Sequence, residues 1–230
     1  QTNRSRPFFL YYPMVLPHSP FVNTPDMRSQ DADDQQRFTA MIAYMDKLVG
    51  NVIDTVKTAG LADNTVIIFL GDNGTDRDIV SLYQGAEIQG AKGKTLNHGT
   101  RVPFLLWAPG RIAPRVSTSM VNLADILPTL ADLAGTAPPD SLPPDGTSLV
   151  PLFDPDTELN RENLFIHYDP RWPTGRAARY AFDRRWKYYE DGRFYDTQSD
   201  PLEQYPITAS NLGREGLTAY RALQSRVSAM

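Results

Sequence analysis

The sequence contains no cysteine, no long apolar run and no excess of basic residues. Without cysteine there is no disulfide framework, no thiol nucleophile and no thiolate metal ligand. No apolar run approaches the roughly 18 residues that a membrane-spanning helix needs. The net charge is −4 and the 23 basic residues are scattered. The composition therefore gives no indication of nucleic-acid or membrane-surface binding.

The chain has 230 residues, of which 41% are hydrophobic. This is enough for one good core, or for a large domain and a small one. The composition changes near residue 155 and becomes aromatic and turn-rich toward the carboxyl end. We therefore predict a domain over residues 1–155 and a smaller α+β subdomain over residues 156–230.

The most informative stretch begins with the β-branched, apolar residues 66–70, which predict a buried strand. Gly71-Asp72-Asn73-Gly74 follows directly. A carboxylate and a carboxamide at the end of a buried strand are hard oxygen ligands that suit Ca²⁺ or Mg²⁺. The same tetrapeptide is also a common turn signal. Asp72 and Asn73 are therefore candidate metal ligands on a turn.

Two further segments carry candidate site residues. The aromatic residues 7–12 predict a buried strand, and Pro17-His18-Ser19-Pro20 comes after them; a protonated imidazole can donate a charge-assisted hydrogen bond to an anion. Residues 33–60 follow with apolar residues at spacings of three and four, typical of an amphipathic helix before the first strand of the informative stretch. This helix-then-strand order favours an α/β sheet with its site at the strand carboxyl ends.

Taken together, these segments resemble the sulfatases of the alkaline phosphatase superfamily. The family pattern runs strand, Asp-Asn-Gly, variable loop, Gly-x-Lys-Gly-x-x-x-Glu-Gly-Gly-x-Arg-x-Pro, strand, Pro-Gly. In this chain it is carried by Asp72-Asn73-Gly74, Gly90-Ala91-Lys92-Gly93, Arg101, Pro103 and Pro109-Gly110. Two positions depart from it, since Asn97 stands where Glu is usual and His98 where Gly is usual.

The resemblance implies an incomplete sulfatase-like α/β sandwich with a mainly parallel sheet and a small antiparallel carboxyl-terminal subdomain ending in a helix. It also implies hydrolysis of sulfate esters. Asp72 and Asn73 would bind Ca²⁺, with Mg²⁺ as the alternative, and Lys92 and His18 would hold the sulfate oxygens. Lys94 is the alternative to Lys92 for the sulfate-binding role. Three weaker candidates for contact with the substrate are His98, Lys94 and His167.

Sulfatases use a formylglycine nucleophile made within Cys/Ser-x-Pro-x-Arg, and this sequence contains no such motif. We therefore expect the nucleophile to lie in an amino-terminal region outside residues 1–230, and the chain alone to be inactive. The expected partners are a sulfated small molecule or carbohydrate, and either a second copy or the missing region. A phosphate mono- or diester hydrolase of the same superfamily and a non-catalytic, truncated binding module are the alternatives.

The carboxyl-terminal part predicts four short strands, at residues 164–168, 178–183, 185–190 and 193–196, with a hairpin at Glu190-Asp191-Gly192. A helix over residues 214–227 would pack on them through one apolar face. A further helix is predicted over residues 123–134, with Asp125 acting as its cap and not as a metal ligand.

Overall fold

The computed structural model describes residues 6–29, 31–83, 85–141, 143–170 and 176–230. The residues divide into two compact units: Gln1–Ala62 with Thr75–Gly90, and Asp63–Gly74 with Ala91–Met230. The predicted domain boundary at residue 155 stays a prediction. The helices of the described residues are α1 (Asp34–Thr58), α2 (Asn97–Thr100), α3 (Ile126–Leu133) and α4 (Arg214–Ser228). None of these helices combines the length and the apolar character that crossing a bilayer requires.

The first unit is built on α1, which begins and ends where the sequence predicts. Asp33 forms a capping box: its carboxylate accepts from the Gln36 backbone N–H, and the Gln36 side chain accepts from the Asp33 N–H. Gly60 follows the helix with φ of 69°, a conformation that glycine adopts without strain. The core of this unit consists of buried Phe21, Met41 and Ile79.

A hairpin completes the first unit, formed by β2 (Val80–Tyr83) and β3 (Ala86–Gln89). The Gln35 side chain on α1 accepts a hydrogen bond at 3.0 Å from the backbone N–H of Val80. The hairpin is therefore tied to the amino-terminal turn of the long helix as well as packed on it through Ile79.

The predicted strand at residues 7–12 is wrong, because the structure places these residues outside any strand and exposes them. Phe8, Phe9, Leu10 and Tyr11 are each more than 60% exposed. Strand-type composition is not sufficient for a strand, since its backbone groups need a partner strand to pair with. Among the described residues, no strand pairs with this run.

In the second unit, β1 (Ile67–Leu70) pairs with β4 (Phe104–Trp107), both where the sequence predicts strands. The pair is antiparallel, with Ile67 opposite Trp107 and Leu70 opposite Phe104. The expectation of a mainly parallel sheet is therefore wrong for the described residues, whose sheets are all antiparallel. The physical reason is that a parallel pair needs a crossover helix, and the residues between β1 and β4 contain a hairpin and only the four-residue α2.

Asp125 precedes α3 and is fully buried. Its carboxylate accepts from the backbone N–H groups of Asn122 and Thr147 and forms a two-pronged ion pair with Arg161 at 2.7 and 2.8 Å. Asp125 takes part in capping as the third residue of the 3-10 turn Leu123–Asp125, where it completes a capping box with Asn122, whereas its side chain makes no capping bond at the start of α3. The ion pair joins two residues that are 36 positions apart in the sequence, and the local sequence pattern did not indicate this contact.

The carboxyl-terminal sheet is a four-stranded antiparallel meander in the order β5-β6-β7-β8. Its strands are β5 (Leu164–Tyr168), β6 (Ala178–Phe182), β7 (Trp186–Tyr189) and β8 (Phe194–Asp196). These bounds agree with the prediction to within one residue at each end. The predicted hairpin is confirmed, with Gly192 at φ of 89° between β7 and β8.

Side chains alternate between the two faces of this sheet. On the helix face, Trp186, Tyr188 and Phe194 pack with Leu223 and Val227 of α4, which confirms the predicted packing of the last helix. On the opposite face, which we call the loop face, lie Tyr180, Lys187, Tyr189 and Tyr195.

Candidate functional site

The candidate metal ligands lie on a turn that directly follows β1. Asp72 is exposed and Asn73 is half-buried. The Asn73 side-chain amide donates to Asp72 Oδ2 at 2.6 Å, so the two side chains are adjacent. On each side of the pair, backbone bonds fix the turn: Gly71 N–H to the Pro103 carbonyl, and Gly74 N–H to the Gly99 carbonyl at 2.9 Å.

Two glycines mark where three backbone segments touch. A Cβ atom on Gly74 would overlap the His98 carbonyl oxygen, and a Cβ atom on Gly99 would overlap the carbonyl oxygens of Ala91 and Lys94. Gly99 therefore lies between the Asp72-Asn73 turn and the turn of residues 91–94. Only glycine permits approach this close at these two positions.

Lys92 lies in this second turn, which we call the Lys92 turn (residues 91–94). The Lys94 N–H donates to the Ala91 carbonyl at 2.9 Å, and Gly93 has φ of 80°. Lys92 is half-buried, whereas Lys94 is exposed. The geometry thus brings Asp72, Asn73 and the backbone of Lys92 into one region of the second unit, and their roles in metal and sulfate binding stay predictions.

The loop face of the carboxyl-terminal sheet holds the Lys92 turn and the residue after it. The Tyr168 hydroxyl donates to the Gly93 carbonyl at 3.0 Å, and Lys187 Nζ donates to the Thr95 carbonyl at 2.7 Å. The Tyr189 hydroxyl lies 2.8 Å from Thr95 Oγ1. Side chains from β5 and β7 therefore bond to residues that are more than 70 positions earlier in the sequence.

Glu203 completes this network. Its carboxylate accepts from Lys187 Nζ and from the Tyr189 hydroxyl, both at 2.6 Å. Burial lowers the pKa of the Lys187 ammonium, and the neighbouring Glu203 charge opposes that shift. Burial also raises the pKa of the Tyr189 hydroxyl, and the Glu203 charge adds to that effect. Lys187 and Glu203 are therefore directly bonded while their side chains are only 1% and 4% exposed.

The remaining predicted residues are placed as follows. His98 is half-buried in α2, with its backbone against Gly74. His167 is exposed on β5. His18 lies in the first unit, where its backbone N–H donates to the Val15 carbonyl and its ring is exposed. The roles of these residues in substrate binding or catalysis stay predictions.

The capacity of the site for a metal rests on Asp72 and Asn73. Their oxygen atoms match the preference of Ca²⁺ and Mg²⁺, but six or more ligands are usual for Ca²⁺. In the part of the chain that the structure describes, no cluster of three or more acidic or histidine side chains is arranged to hold a metal. The two residues fit part of a site for a hard cation.

Comparison with models of known protein families identifies the family of this chain. A family model described as Sulfatase matches residues 1–136, more than half of the chain. The chain belongs to the sulfatase family. A second model, described as the carboxyl-terminal part of N-sulphoglucosamine sulphohydrolase, matches residues 92–214, which include Lys92 and the carboxyl-terminal sheet.

Curated relatives agree with this assignment. Human arylsulfatase A is 32% identical over 96% of this chain and 48% of its own length. An endo-4-O-sulfatase from Bacteroides thetaiotaomicron is 25% identical over 86% of this chain and 47% of its own length. The chain thus spans about half the length of these relatives.

Solved structures support the same fold. One from a study of glycosaminoglycan metabolism by Bacteroides thetaiotaomicron covers 99% of this chain with a TM-score of 0.76 at 22% identity, and the match spans 51% of that protein. Another, solved with its substrate D-glucosamine-2-N,6-O-disulfate, covers 84% of this chain with a TM-score of 0.62 at 19% identity, and the match spans 41% of that protein. At these identities the likeness establishes the fold alone.

Sequence reasoning did not identify Lys187, Glu203 and Tyr189 as neighbours of the Lys92 turn. The available signal was a charged residue at the centre of an otherwise aromatic strand, Trp186-Lys187-Tyr188-Tyr189. A lysine in such a strand must either reach water or find a buried partner. That reasoning would have indicated a partner without saying which one.

Proposed function

We propose that this chain forms part of a sulfate ester hydrolase and supplies one side of its active site. The observation that carries the proposal is the contact of the Asp72-Asn73 turn with Gly99, and of Gly99 with the Lys92 turn. The proposal is supported by this contact because it links Asp72 and Asn73, whose oxygen atoms we propose as ligands of a hard cation, to the turn that carries the half-buried Lys92. Membership of the sulfatase family supports the same assignment.

In this proposal the Lys92 ammonium binds the sulfate oxygens and stabilises the negative charge that grows as the ester bond breaks. For His18 we keep the role that the family resemblance implies, which is donation of a hydrogen bond to a sulfate group or protonation of the leaving alcohol. Lys94 remains the rival for the role of Lys92. Lys94 is more exposed than Lys92. We favour Lys92, because an ammonium that is partly shielded from water interacts more strongly with an anion.

Asp72 and Asn73 would hold a divalent cation, for which we propose Ca²⁺, with Mg²⁺ as the alternative. When bound, this ion would draw negative charge from the reacting sulfate group. The nucleophile would be a formylglycine supplied by a segment outside residues 1–230. That segment, or a second copy of the chain, would also cover exposed apolar residues such as Phe9 and Tyr11.

A sulfated carbohydrate is the substrate class that we propose. The support comes from relatives whose names specify sulfated substrates, namely the endo-4-O-sulfatase and the protein solved with D-glucosamine-2-N,6-O-disulfate. Substrate contacts are assigned to His98, Lys94 and His167. Of these, His98 has the best-supported position, because its backbone lies against the Asp72-Asn73 turn.

The proposal is tested by comparing hydrolysis of an aryl sulfate and of the matching aryl phosphate. The protein used is the product of the complete reading frame that contains residues 1–230. We expect the value of kcat/KM for the sulfate to exceed that for the phosphate by about 100-fold, because a site built for one anion rejects another. A preference for the phosphate would overturn the assignment in favour of a phosphate ester hydrolase, and hydrolysis of neither ester would favour a binding module.

A further inference from the structure

The loop face of the carboxyl-terminal sheet carries a polar cluster that the proposed chemistry does not use. We call it the sheet anchor and define it as Lys187, Tyr189 and Glu203. Lys187 and Tyr189 are both in β7, and their side chains are 1% and 2% exposed. The Glu203 side chain is 4% exposed. Polar groups this deeply buried are costly unless every one of them is bonded.

Every polar group of the sheet anchor is bonded, and two of its bonds end on Thr95. Lys187 Nζ donates to Glu203 and to the Thr95 carbonyl. Tyr189 has one hydroxyl proton, and the charged Glu203 is its stronger acceptor. The Thr95 hydroxyl therefore donates to the Tyr189 oxygen across the 2.8 Å contact. Thr95 comes directly after the Lys92 turn, so the anchor fixes the point where the turn ends.

The ammonium is enclosed by aromatic rings as well. Lys187 Nζ lies 5.1 Å from the centre of the Tyr180 ring and 5.9 Å from that of Tyr189. Cation–π attraction is strongest where water is excluded, as it is here.

The backbone at Glu203 is in an unusual conformation. Glu203 has φ of 54°, the one positive value among the described residues other than glycine. Asp200 supports this turn, since its carboxylate accepts from the backbone N–H groups of Gln204 and Tyr205. A left-handed conformation of a residue other than glycine costs free energy and persists where the surrounding structure requires it. At Glu203 this backbone conformation occurs together with the bond between its carboxylate and the buried Lys187 ammonium.

Stability alone is a weak explanation for such a pair. A buried ion pair is often no more stabilising than apolar residues of the same volume, because both charges must leave water. What the pair adds is a tie between distant segments, since one buried ammonium donates both to the Thr95 carbonyl and to the Glu203 carboxylate. Tyr168 supplies a second fixed point at the Gly93 carbonyl, so the turn is held on both sides of Lys94.

We propose that Lys187 is a positioning residue, which acts through the Thr95 carbonyl to hold the Lys92 turn in the geometry that sulfate binding requires. This inference rests on the proposed role of Lys92 in binding the sulfate group. Glu203 keeps the Lys187 ammonium charged and oriented, and Tyr189 restrains the Thr95 side chain. Lys187 itself does not touch substrate.

The test uses Lys187→Met combined with Glu203→Gln, which removes both charges and leaves no unpaired buried ion. The second variant is Tyr189→Phe, which removes one hydroxyl from the anchor. Its matched control is Tyr188→Phe, because Tyr188 is the neighbouring residue of β7 on the helix face, where its hydroxyl accepts from Gln224. Amide hydrogen exchange of residues 92–96 is measured in each variant, together with the thermal midpoint of unfolding.

We expect exchange of these amides to be about tenfold faster in the double variant and about threefold faster in Tyr189→Phe, since each loses hydrogen bonds to Thr95. In Tyr188→Phe the exchange rate should match that of the original protein. A folded double variant whose exchange is unchanged at residues 92–96 would overturn the proposal. So would an equal acceleration in Tyr188→Phe, because the effect would then be a general loosening of the sheet.

Hydrolysis of an aryl sulfate gives the second readout, in the product of the complete reading frame. The double variant should lose about tenfold or more in kcat, and its amides should exchange faster as described. Unchanged kcat in a variant with a loosened turn would overturn the positioning role. If no form of the protein hydrolyses the ester, the proposed function fails, and hydrogen exchange alone decides whether Lys187 anchors the turn.

Discussion

The second unit contains two antiparallel arrangements that differ in how they are buried. All residues of β7 and β8 are buried, between α4 on one face and the polar cluster on the other. In contrast, β1 and β4 are half-buried, and Leu105 of β4 is 56% exposed. Asp72 and Asn73 follow β1, and Lys92 lies between β1 and β4, whereas the side chains that bond to the loop at Gly93 and Thr95 come from the carboxyl-terminal sheet. The candidate site residues and the side chains that hold their loop in place therefore belong to different elements of the fold.

The largest expected effect comes from truncating one large apolar residue in each arrangement. Phe194→Ala in β8 should lower the free energy of unfolding by about 3–5 kcal/mol, because it removes a fully buried ring stacked on Trp186. Leu105→Ala in β4 should change it by about 0.5 kcal/mol or less. Urea unfolding followed by circular dichroism measures both values. Equal losses would show that the two arrangements contribute alike.

A second comparison concerns ion pairs. Arg161→Met leaves the buried Asp125 carboxylate without its cation, so we expect a loss of about 3 kcal/mol. Lys57→Met is the control, because Lys57 and Asp54 form an exposed pair whose contribution should be about 0.5 kcal/mol or less. The same unfolding measurement applies. A small loss for Arg161→Met would mean that Asp125 is satisfied by backbone N–H groups alone.

The contact between the two site turns is tested with alanine in place of glycine. Gly99→Ala should destabilise by about 2 kcal/mol, because its Cβ atom overlaps backbone carbonyl oxygens that have little room to move. Gly50→Ala in the interior of α1 should instead stabilise by about 0.5–1 kcal/mol, since its surroundings are open. Thermal unfolding of both variants checks the opposite signs. A neutral Gly99→Ala would contradict the close packing of the turns.

The smallest expected effect is a dependence on alkaline pH. Burial raises the pKa of Tyr180 and Tyr189 above the ordinary value of 10.0. The folded protein therefore keeps two protons that the unfolded chain loses, so the stabilising contribution is complete below pH 10.0 and falls as the pH rises further.

Ultraviolet absorbance of tyrosinate and stability measured against pH check this expectation. Tyr189→Phe should make the decline shallower by about 1.4 kcal/mol per pH unit, the value for one proton. The exposed Tyr205 provides the control, since Tyr205→Phe should leave the slope unchanged. Ionisation of all tyrosines in a single step near pH 10.0, in the folded protein, would contradict the burial of this face.

The sequence predicted the local elements well and the long-range ones poorly. The strands of the carboxyl-terminal sheet are short runs rich in aromatic residues and are separated by turn signals, so their bounds could be predicted to within one residue. Residues 7–12 have the same kind of composition, but no strand pairs with them among the residues that the structure describes. Pairing between strands depends on the whole fold, so it cannot be predicted from a short segment of sequence alone.

The same limit applies to the candidate site. Asp72, Asn73 and Lys92 could be found because each lies within a short recognisable segment. The bond from Lys187 to Thr95 spans 92 residues, and the Asp125–Arg161 pair spans 36. The spacing of residues within a short segment does not indicate contacts between residues this far apart in the sequence. The parallel sheet was expected from family resemblance, and the described strands do not form one.

The proposed sulfate ester hydrolysis depends on binding of the sulfate group by the Lys92 ammonium. The most direct test measures aryl sulfate hydrolysis by Lys92→Ala, with its rival Lys94→Ala and with Lys57→Ala at the exposed end of α1 as the neutral control. The protein used is the product of the complete reading frame that contains residues 1–230. We predict that Lys92→Ala lowers kcat/KM by about 100-fold or more, with Lys94→Ala much less affected. A folded Lys92→Ala variant that hydrolyses the ester as fast as Lys57→Ala would contradict the account.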